Sequence, residues 1–447
     1  MDRELSKNYM LKLKKVIEYL LYLFVFLLPW QTRFIYQESL IKGNPFEYGR
    51  LSLYATELLF SLILILSLCL ILYRIKVEKL KPNFQKAKTR LIFLVVGLIL
   101  FATNILLAVN SELAFYRATQ IVLAFCFFAI LIIIKPDFKK LSWAFIYSAL
   151  MQSVLAIQQF SVQKVVANKW LGMASQDPNV LGTPVVLTTG GRWLRTFGAL
   201  PHPNILAGFL VFALILILFL ILREEIKTNK RNLTFIFIIV FLALLTTLSK
   251  TAILCATLLL IVALFLTRRS IDENKKIGRL ALISLAVLVF FGVSYPQLFI
   301  NRATNLNAIE QRSYEERISQ YGEWTQIMKS NLLFGTGLGN YSLSLQKIKP
   351  NLESWDYQPI HNTYLLIIAE IGIIPFLYIV GLCIYFCRKT NWKVSLSSLS
   401  RLPLISLIFL MLFDHYLWSF YSGLMLAGFV GAMVMLYHAQ KADLSSR

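Results

Sequence analysis

Four histidines are the first candidates for chemistry in a chain of 447 residues. His361 stands out among them. It follows Pro359-Ile360, precedes Asn362-Thr363, and opens an apolar run of the length of a membrane span. A ring at a helix N-terminus sits in positive potential, which disfavours imidazolium. Such a ring is neutral near pH 7 and able to accept a proton. The position by itself fits an interfacial capping residue better than a general base. His202 and His415 also fall at the external ends of spans, whereas His438 falls at the opposite end. Asp414 and His415 are neighbours in a tight turn, and adjacent side chains on a helix do not face each other.

Cations form the second set. Arg192, Arg195, Arg302, Arg312 and Arg317 lie in external segments. Guanidinium is a planar fork that matches phosphate oxygens, although a surface arginine can equally be solvated or anchor a phospholipid. Arg317, Tyr321 and Trp324 are spaced to share one helix face beside a membrane surface. Lys250, in Leu248-Ser249-Lys250-Thr251, stands between two apolar runs with almost no loop. It reads as a turn marker or as an anion contact. Phe334-Gly335-Thr336-Gly337-Leu338-Gly339-Asn340 is a glycine-rich turn that could cradle phosphate or simply return the chain to the membrane. The sequence has no GxxxxGK[ST], no HExxH and no Cys/His cluster at metal-ligand spacing, so no metal site or nucleotide cofactor is expected. Glu57 and Glu370 fall inside spans, where each is expected to hydrogen-bond within the bundle.

The elements that must position these residues are membrane helices. Hydrophobic residues make up 57% of the chain and charged residues only 15%, too few for a soluble multi-domain enzyme and too apolar for a disordered basic protein. Runs near 16–30, 51–73, 91–109, 117–134, 141–160, 204–222, 233–248, 251–266, 280–295, 361–386, 403–416 and 420–438 are candidates for crossing the bilayer. The expected fold is therefore an all-α integral membrane protein of about twelve transmembrane helices. The net charge is +22. Roughly two thirds of the Lys and Arg fall in the segments on the side of the N-terminus, which makes both termini cytoplasmic and the charge a topology signal. No nucleic-acid partner is needed to explain it. The chain reads as one polytopic domain over 1–447 with two long external loops, 161–203 and 296–360. The second lies between spans nine and ten and holds an amphipathic helix near 309–330, with Ile318, Tyr321, Trp324 and Met328 on one stripe.

Four stretches together resemble the O-antigen ligase and polymerase family, the Wzy C-terminal superfamily. The first is Leu194-Arg195-Thr196-Phe197-Gly198-Ala199-Leu200-Pro201-His202-Pro203-Asn204. The second is Leu248-Ser249-Lys250-Thr251, where Lys250 stands in place of the family's usual arginine. The third runs from Arg317 and Trp324 to the glycine turn, with Asn331-Leu332 where the family often has proline. The fourth is His361-Asn362-Thr363-Tyr364-Leu365 with Glu370-Ile371-Gly372. The similarity covers most of 190–385.

The resemblance implies a multi-span glycosyltransferase of the C-type (GT-C) architecture in a bacterial cytoplasmic membrane, active at the external face. The donor would be a glycan on undecaprenyl diphosphate, and the acceptor a hydroxyl of a glycan, lipid or protein. His361 would be the general base. Arg195 and Arg317 would hold the diphosphate, with Lys250 as a third contact. His202, Asn204, Asn362 and Tyr321 would support them. Neither metal nor nucleotide would be required. A polymerase that extends the lipid-linked chain would carry the same motifs. A lipid-glycan flippase or other transporter is the alternative of a different class, and no half-to-half repeat speaks for it.

Overall fold

The computed structural model describes residues 2–78, 84–222, 229–304, 308–389 and 398–445. Parts of three expected cytoplasmic segments, 79–83, 223–228 and 390–397, lie outside the described residues, as do Met1 and 446–447. The chain is mostly helical. The first half contributes α1 (Asp2–Leu27), α2 (Ala55–Glu78), α3 (Phe84–Leu106), α4 (Ser111–Ile134) and α5 (Phe138–Val162). The central bundle continues with α6 (Pro203–Leu222), α7 (Lys230–Thr246), α8 (Lys250–Thr267) and α9 (Ile271–Ser294). The long loop that follows folds into α10 (Pro296–Thr304), α11 (Ala308–Asn331) and α12 (Tyr341–Ile348). The chain then returns through α13 (Thr363–Ile371), α14 (Ile373–Lys389), α15 (Leu402–Phe413), α16 (Tyr416–Ser419) and α17 (Tyr421–Ser445). Short antiparallel strand pairs sit only in loops: β1 (Arg33–Gln37), β2 (Leu40–Ile41), β3 (Asn44–Pro45), β4 (Leu51–Tyr54), β5 (Val185–Thr188) and β6 (Gly191–Leu194). β1 pairs with β4, β2 with β3, and β5 with β6.

Helix α6 is the axis of the bundle. Its sequence is apolar all round, which suits a helix surrounded by protein or lipid. Nearly every one of its residues is buried, among α5, α7, α8, α9, α15 and α17. Pro203 opens it, where a missing N–H costs nothing. That places His202 and Asn204 at the loop-rich end of the most enclosed of the span-length helices.

Among the described residues six helices are long and apolar enough to cross a membrane singly, or seven if one bent pair is a single span. Apolar stretches at 91–106, 399–413 and 421–437 are shorter. The expected count of about twelve is thus higher than length and composition bear out here. The difference comes from short runs such as 16–30 and 233–248, which sequence reading admitted as spans.

The expected span 361–386 is broken. α13 and α14 meet at 119°. Gly372, at φ +80° and ψ 170°, makes the break, a conformation essentially confined to glycine. A Cβ there would lie 2.4 Å from the Leu333 carbonyl oxygen, and a Cβ on Gly335 would lie 2.3 Å from that of Glu370. The break and the glycine turn therefore pack backbone against backbone. Thr336 N–H donates to Ala369 O at 2.9 Å and Gly337 N–H to Glu370 O at 3.0 Å. Leu338 N–H donates to Asn104 Oδ1 at 3.1 Å, and Asn340 N–H to Gly337 O at 3.0 Å. The turn's amides are consumed by the protein, so its part is to return the chain. Glu370 accepts from Trp418 Nε1 at 2.7 Å, and Glu57 accepts from Tyr54 N at 2.9 Å. Both carboxylates thus bond within the bundle.

Candidate active site

Three chain segments far apart in sequence converge at the loop-rich end. His202 lies just before α6, His361 just before α13, and Asp414-His415 between α15 and α16. The His361 and His415 rings meet edge to face, 5.3 Å between centroids. Asn204 Nδ2 donates to Asp414 Oδ2 at 2.8 Å, and the Asn204 backbone N–H donates to His202 Nδ1 at 3.2 Å. Thr363 Oγ1 donates to the Asp414 carbonyl at 2.6 Å. His415 Nδ1 lies 2.6 Å from Ser419 Oγ. The sequence offered Asp414 and His415 only as neighbours that cannot face each other. In the structure the His415 backbone N–H donates to Asp414 Oδ1 at 2.7 Å, while the two side chains turn to different partners, Asp414 to Asn204 on α6 and His415 to Ser419 on α16. Among the described residues no group of three or more His, Cys, Asp or Glu is arranged to hold a metal ion.

Asn362 caps α13, its Oδ1 accepting from Leu365 N–H at 3.1 Å, a preferred N-cap geometry. That cap fixes the direction in which the chain enters from His361. His361 itself is half-buried. Its backbone N–H and its Nδ1 both lie 3.0 Å from Gln320 Oε1. Gln320 projects from α11, a helix held against α13 by Trp324 Nε1, which donates to Leu365 O at 2.8 Å.

The buried face of α11 is not the stripe expected from sequence. Ile318 and Tyr321 are exposed, whereas Gln320, Glu323, Ile327 and Met328 are buried. The amphipathic pattern is weak in this polar helix, and two polar residues occupy its inner face because each has a partner. Glu323 pairs with Lys349 at 2.6 Å, and Gln320 with His361. Tyr321 is 53% exposed. Arg317 is half-buried and makes no hydrogen bond or ion pair with any described residue. It stands one turn from Gln320, and its charge bears on both His361 and His415.

Arg195 is placed differently from the expected free fork. It is buried. Its Nε donates to Thr247 O at 2.9 Å and its Nη2 to Asn204 Oδ1 at 2.6 Å. Arg302 Nε donates to the next carbonyl, Leu248 O, at 2.8 Å. Two arginines thus sit on consecutive carbonyls at the C-terminal end of α7, where helix potential is negative. Leu248 adopts φ +51° in this turn, and exposed Lys250 opens α8 just beyond it. Arg302 was named only among the external arginines, and Gln320 was not singled out by sequence reading. The only signal was a polar residue one turn from Arg317 and one from Trp324.

Burial dominates the electrostatics. It pushes the His361 imidazole from 6.5 down to about 3, helped by His415. Burial and then the Arg195 charge push His202 down to about 3, and burial lowers His415 as well. Burial alone would raise Asp414. The His415, His361 and His202 rings and the Asn204 hydrogen bond outweigh it and hold the carboxyl down to about 2. Near neutral pH the cluster is therefore one carboxylate among three neutral imidazoles. Because the His361 pKa is depressed, its proton-accepting form persists as pH falls through 6.5. The kcat/KM profile of any reaction using it as a base reports the free protein's groups. We expect that profile to be flat from pH 8 down to about pH 5. An acid limb centred near the free-imidazole value would show a solvated ring and contradict this placement.

Comparison with known proteins adds one finding to this geometry. Residues 235–380 match the family Wzy_C, described as O-antigen ligase. The match supports the O-antigen ligase and polymerase family, whose members are membrane enzymes of glycosyltransferase type. It spans the α7–α8 turn, Arg302, Arg317, Gln320, the glycine turn, His361 and the α13–α14 break. No curated protein matches the chain.

Proposed function

We propose that the chain is an O-antigen ligase-like glycosyltransferase. It moves a glycan from undecaprenyl diphosphate to an acceptor hydroxyl at the outer face of a bacterial cytoplasmic membrane, within an architecture of about twelve crossings of GT-C type. Both termini are cytoplasmic in this reading, and the loop-rich end faces outward. The observation that carries it is the His361 ring, set edge to face against His415 and bonded to Gln320 on the helix that bears Arg317, at one end of a bundle whose residues 235–380 match the O-antigen ligase family.

In this mechanism the acceptor hydroxyl gives its proton to His361. Its oxygen attacks the anomeric carbon of the donor sugar. The bond from that carbon to the diphosphate oxygen breaks, and the electron pair leaves on undecaprenyl diphosphate. Arg317 faces the developing negative charge, and Lys250 offers a second cation. Arg195 serves the same step by holding Asn204, and through it Asp414, in place. His202 and Asn362 set the two helix starts. Tyr321, exposed on α11, meets the donor lipid or the membrane surface.

The test is transfer by the purified protein in liposomes. Lipid-linked glycan is the donor, and candidate sugar, lipid and protein hydroxyls are the acceptors. We expect acceptor-dependent release of undecaprenyl diphosphate. The productive acceptor separates a ligase from a polymerase, whose acceptor is another lipid-linked chain. Arg317→Ala should raise the donor KM about tenfold with an unchanged melting temperature, and Arg317→Lys should recover it only in part because the fork is lost. Donor flux across the bilayer with no acceptor-dependent release would replace this reading by transport.

A further inference from the structure

We propose that Gln320 is a positioning residue: its side-chain oxygen fixes the His361 tautomer, so that Nε2 is the nitrogen that accepts the acceptor's proton. The inference rests on the reading of His361 as base.

Assigning oxygen and nitrogen in an amide side chain usually depends on its surroundings. Here the backbone decides. The His361 main-chain N–H can only donate, and it points at the Gln320 terminal atom at 3.0 Å. That atom must be the oxygen. The same oxygen lies 3.0 Å from His361 Nδ1. An amide oxygen cannot donate, so Nδ1 carries the hydrogen. A neutral ring with hydrogen on Nδ1 has its lone pair on Nε2. The acceptor hydroxyl's proton then moves to Nε2 as its oxygen bonds the anomeric carbon and the diphosphate departs with the broken bond's electron pair. If the hydrogen were on Nε2, that nitrogen would be a donor and unable to act as a base.

The rest of α11 is built to hold this contact. Gln320 is 8% exposed, so water competes poorly for the bond. One turn on, Trp324 ties the helix to α13. Ile327 is fully buried, and the Glu323–Lys349 pair joins α11 to the end of α12. Gln320 therefore cannot slide relative to His361 without breaking these anchors. Arg317 stands one turn before Gln320. The same helix thus sets the base's tautomer and presents the cation for the leaving group.

The chain has only four histidines, which makes ring 15N spectra of the full protein in lipid nanodiscs readable. His361 is assigned by its absence in His361→Ala. At pH 7 wild type should show His361 with Nδ1 protonated and Nε2 unprotonated, and Gln320→Ala should move the ring towards the opposite tautomer. In transfer assays Gln320→Ala should lower kcat about tenfold or more, with the donor KM unchanged within about twofold. Gln320→Glu keeps the accepting oxygen and should recover most of the rate. It should also shift the acid limb upward, because an anion at Nδ1 favours imidazolium. A wild-type ring protonated at Nε2, or a Gln320→Ala ring unchanged from wild type, would overturn the proposal. The wild-type spectrum and Gln320→Glu decide it even if Gln320→Ala misfolds. Undiminished transfer by His361→Ala would overturn the base assignment instead, while the spectra still judge the Gln320 contact on their own.

Discussion

His361→Ala is expected to lower glycan transfer by about 10²–10⁴-fold, the range over which a positioned general base contributes. The loss should fall on kcat. The ring is proposed to meet the acceptor hydroxyl and not the diphosphate, so donor binding has no reason to weaken in proportion. Stability should change little. The backbone N–H that bonds Gln320 survives the substitution. Matched expression and an unchanged melting temperature would therefore accompany the lost rate. Full transfer by the variant would remove His361 as base. His415 would be the next residue to test, since its ring lies against His361 and is also held neutral by burial.

Arg195→Ala should have a different signature, because it damages the scaffold as well as the rate. Arg195 bridges the end of α7, through Thr247 O, to the start of α6, through Asn204 Oδ1. Asn204 in turn holds Asp414 beyond the end of α15. Truncation leaves a buried carbonyl and a buried amide oxygen without these donors. A hydrogen bond from a charged group, together with the cost of an orphaned partner, is worth about 3 kcal/mol. We expect a clear fall in melting temperature and transfer reduced beyond what donor concentration can restore. Lysine should recover little, since one ammonium does not reproduce a fork that meets two acceptors on different helices. If Arg195→Ala melts as wild type and only raises the donor KM, Arg195 contacts the donor directly and the scaffold role is wrong.

Much of the protein's class was legible in its residues. The scarcity of charge and the long apolar runs set a helical membrane protein. The fully apolar 204–222 run was legible as a membrane span, and only the structure shows that α6 is enclosed by other helices. The motifs read across 190–385 overlap the matched segment 235–380. His202 and His361 were visible as polar groups at the ends of apolar runs, Arg195 as an external-loop arginine, and Asn204 only through the resemblance. Residue type and the composition of its neighbours are local properties, which sequence displays directly.

What the tertiary structure decided were relations across the chain. Counting apolar residues through 361–386 gives one span, because hydropathy does not register the φ of Gly372 or the backbone packing against Gly335 that bends it by 119°. Gln320 and His361 are 41 residues apart, and Asn204 and Asp414 are 210 apart. No periodicity links such pairs. Which polar residue of α11 turns inward was also settled outside the helix, since Gln320 and Glu323 are buried only where His361 and Lys349 satisfy them. Burying a polar group without a partner is too costly to persist. Partnership in three dimensions, more than residue type, therefore selects which of the chain's polar residues form the site.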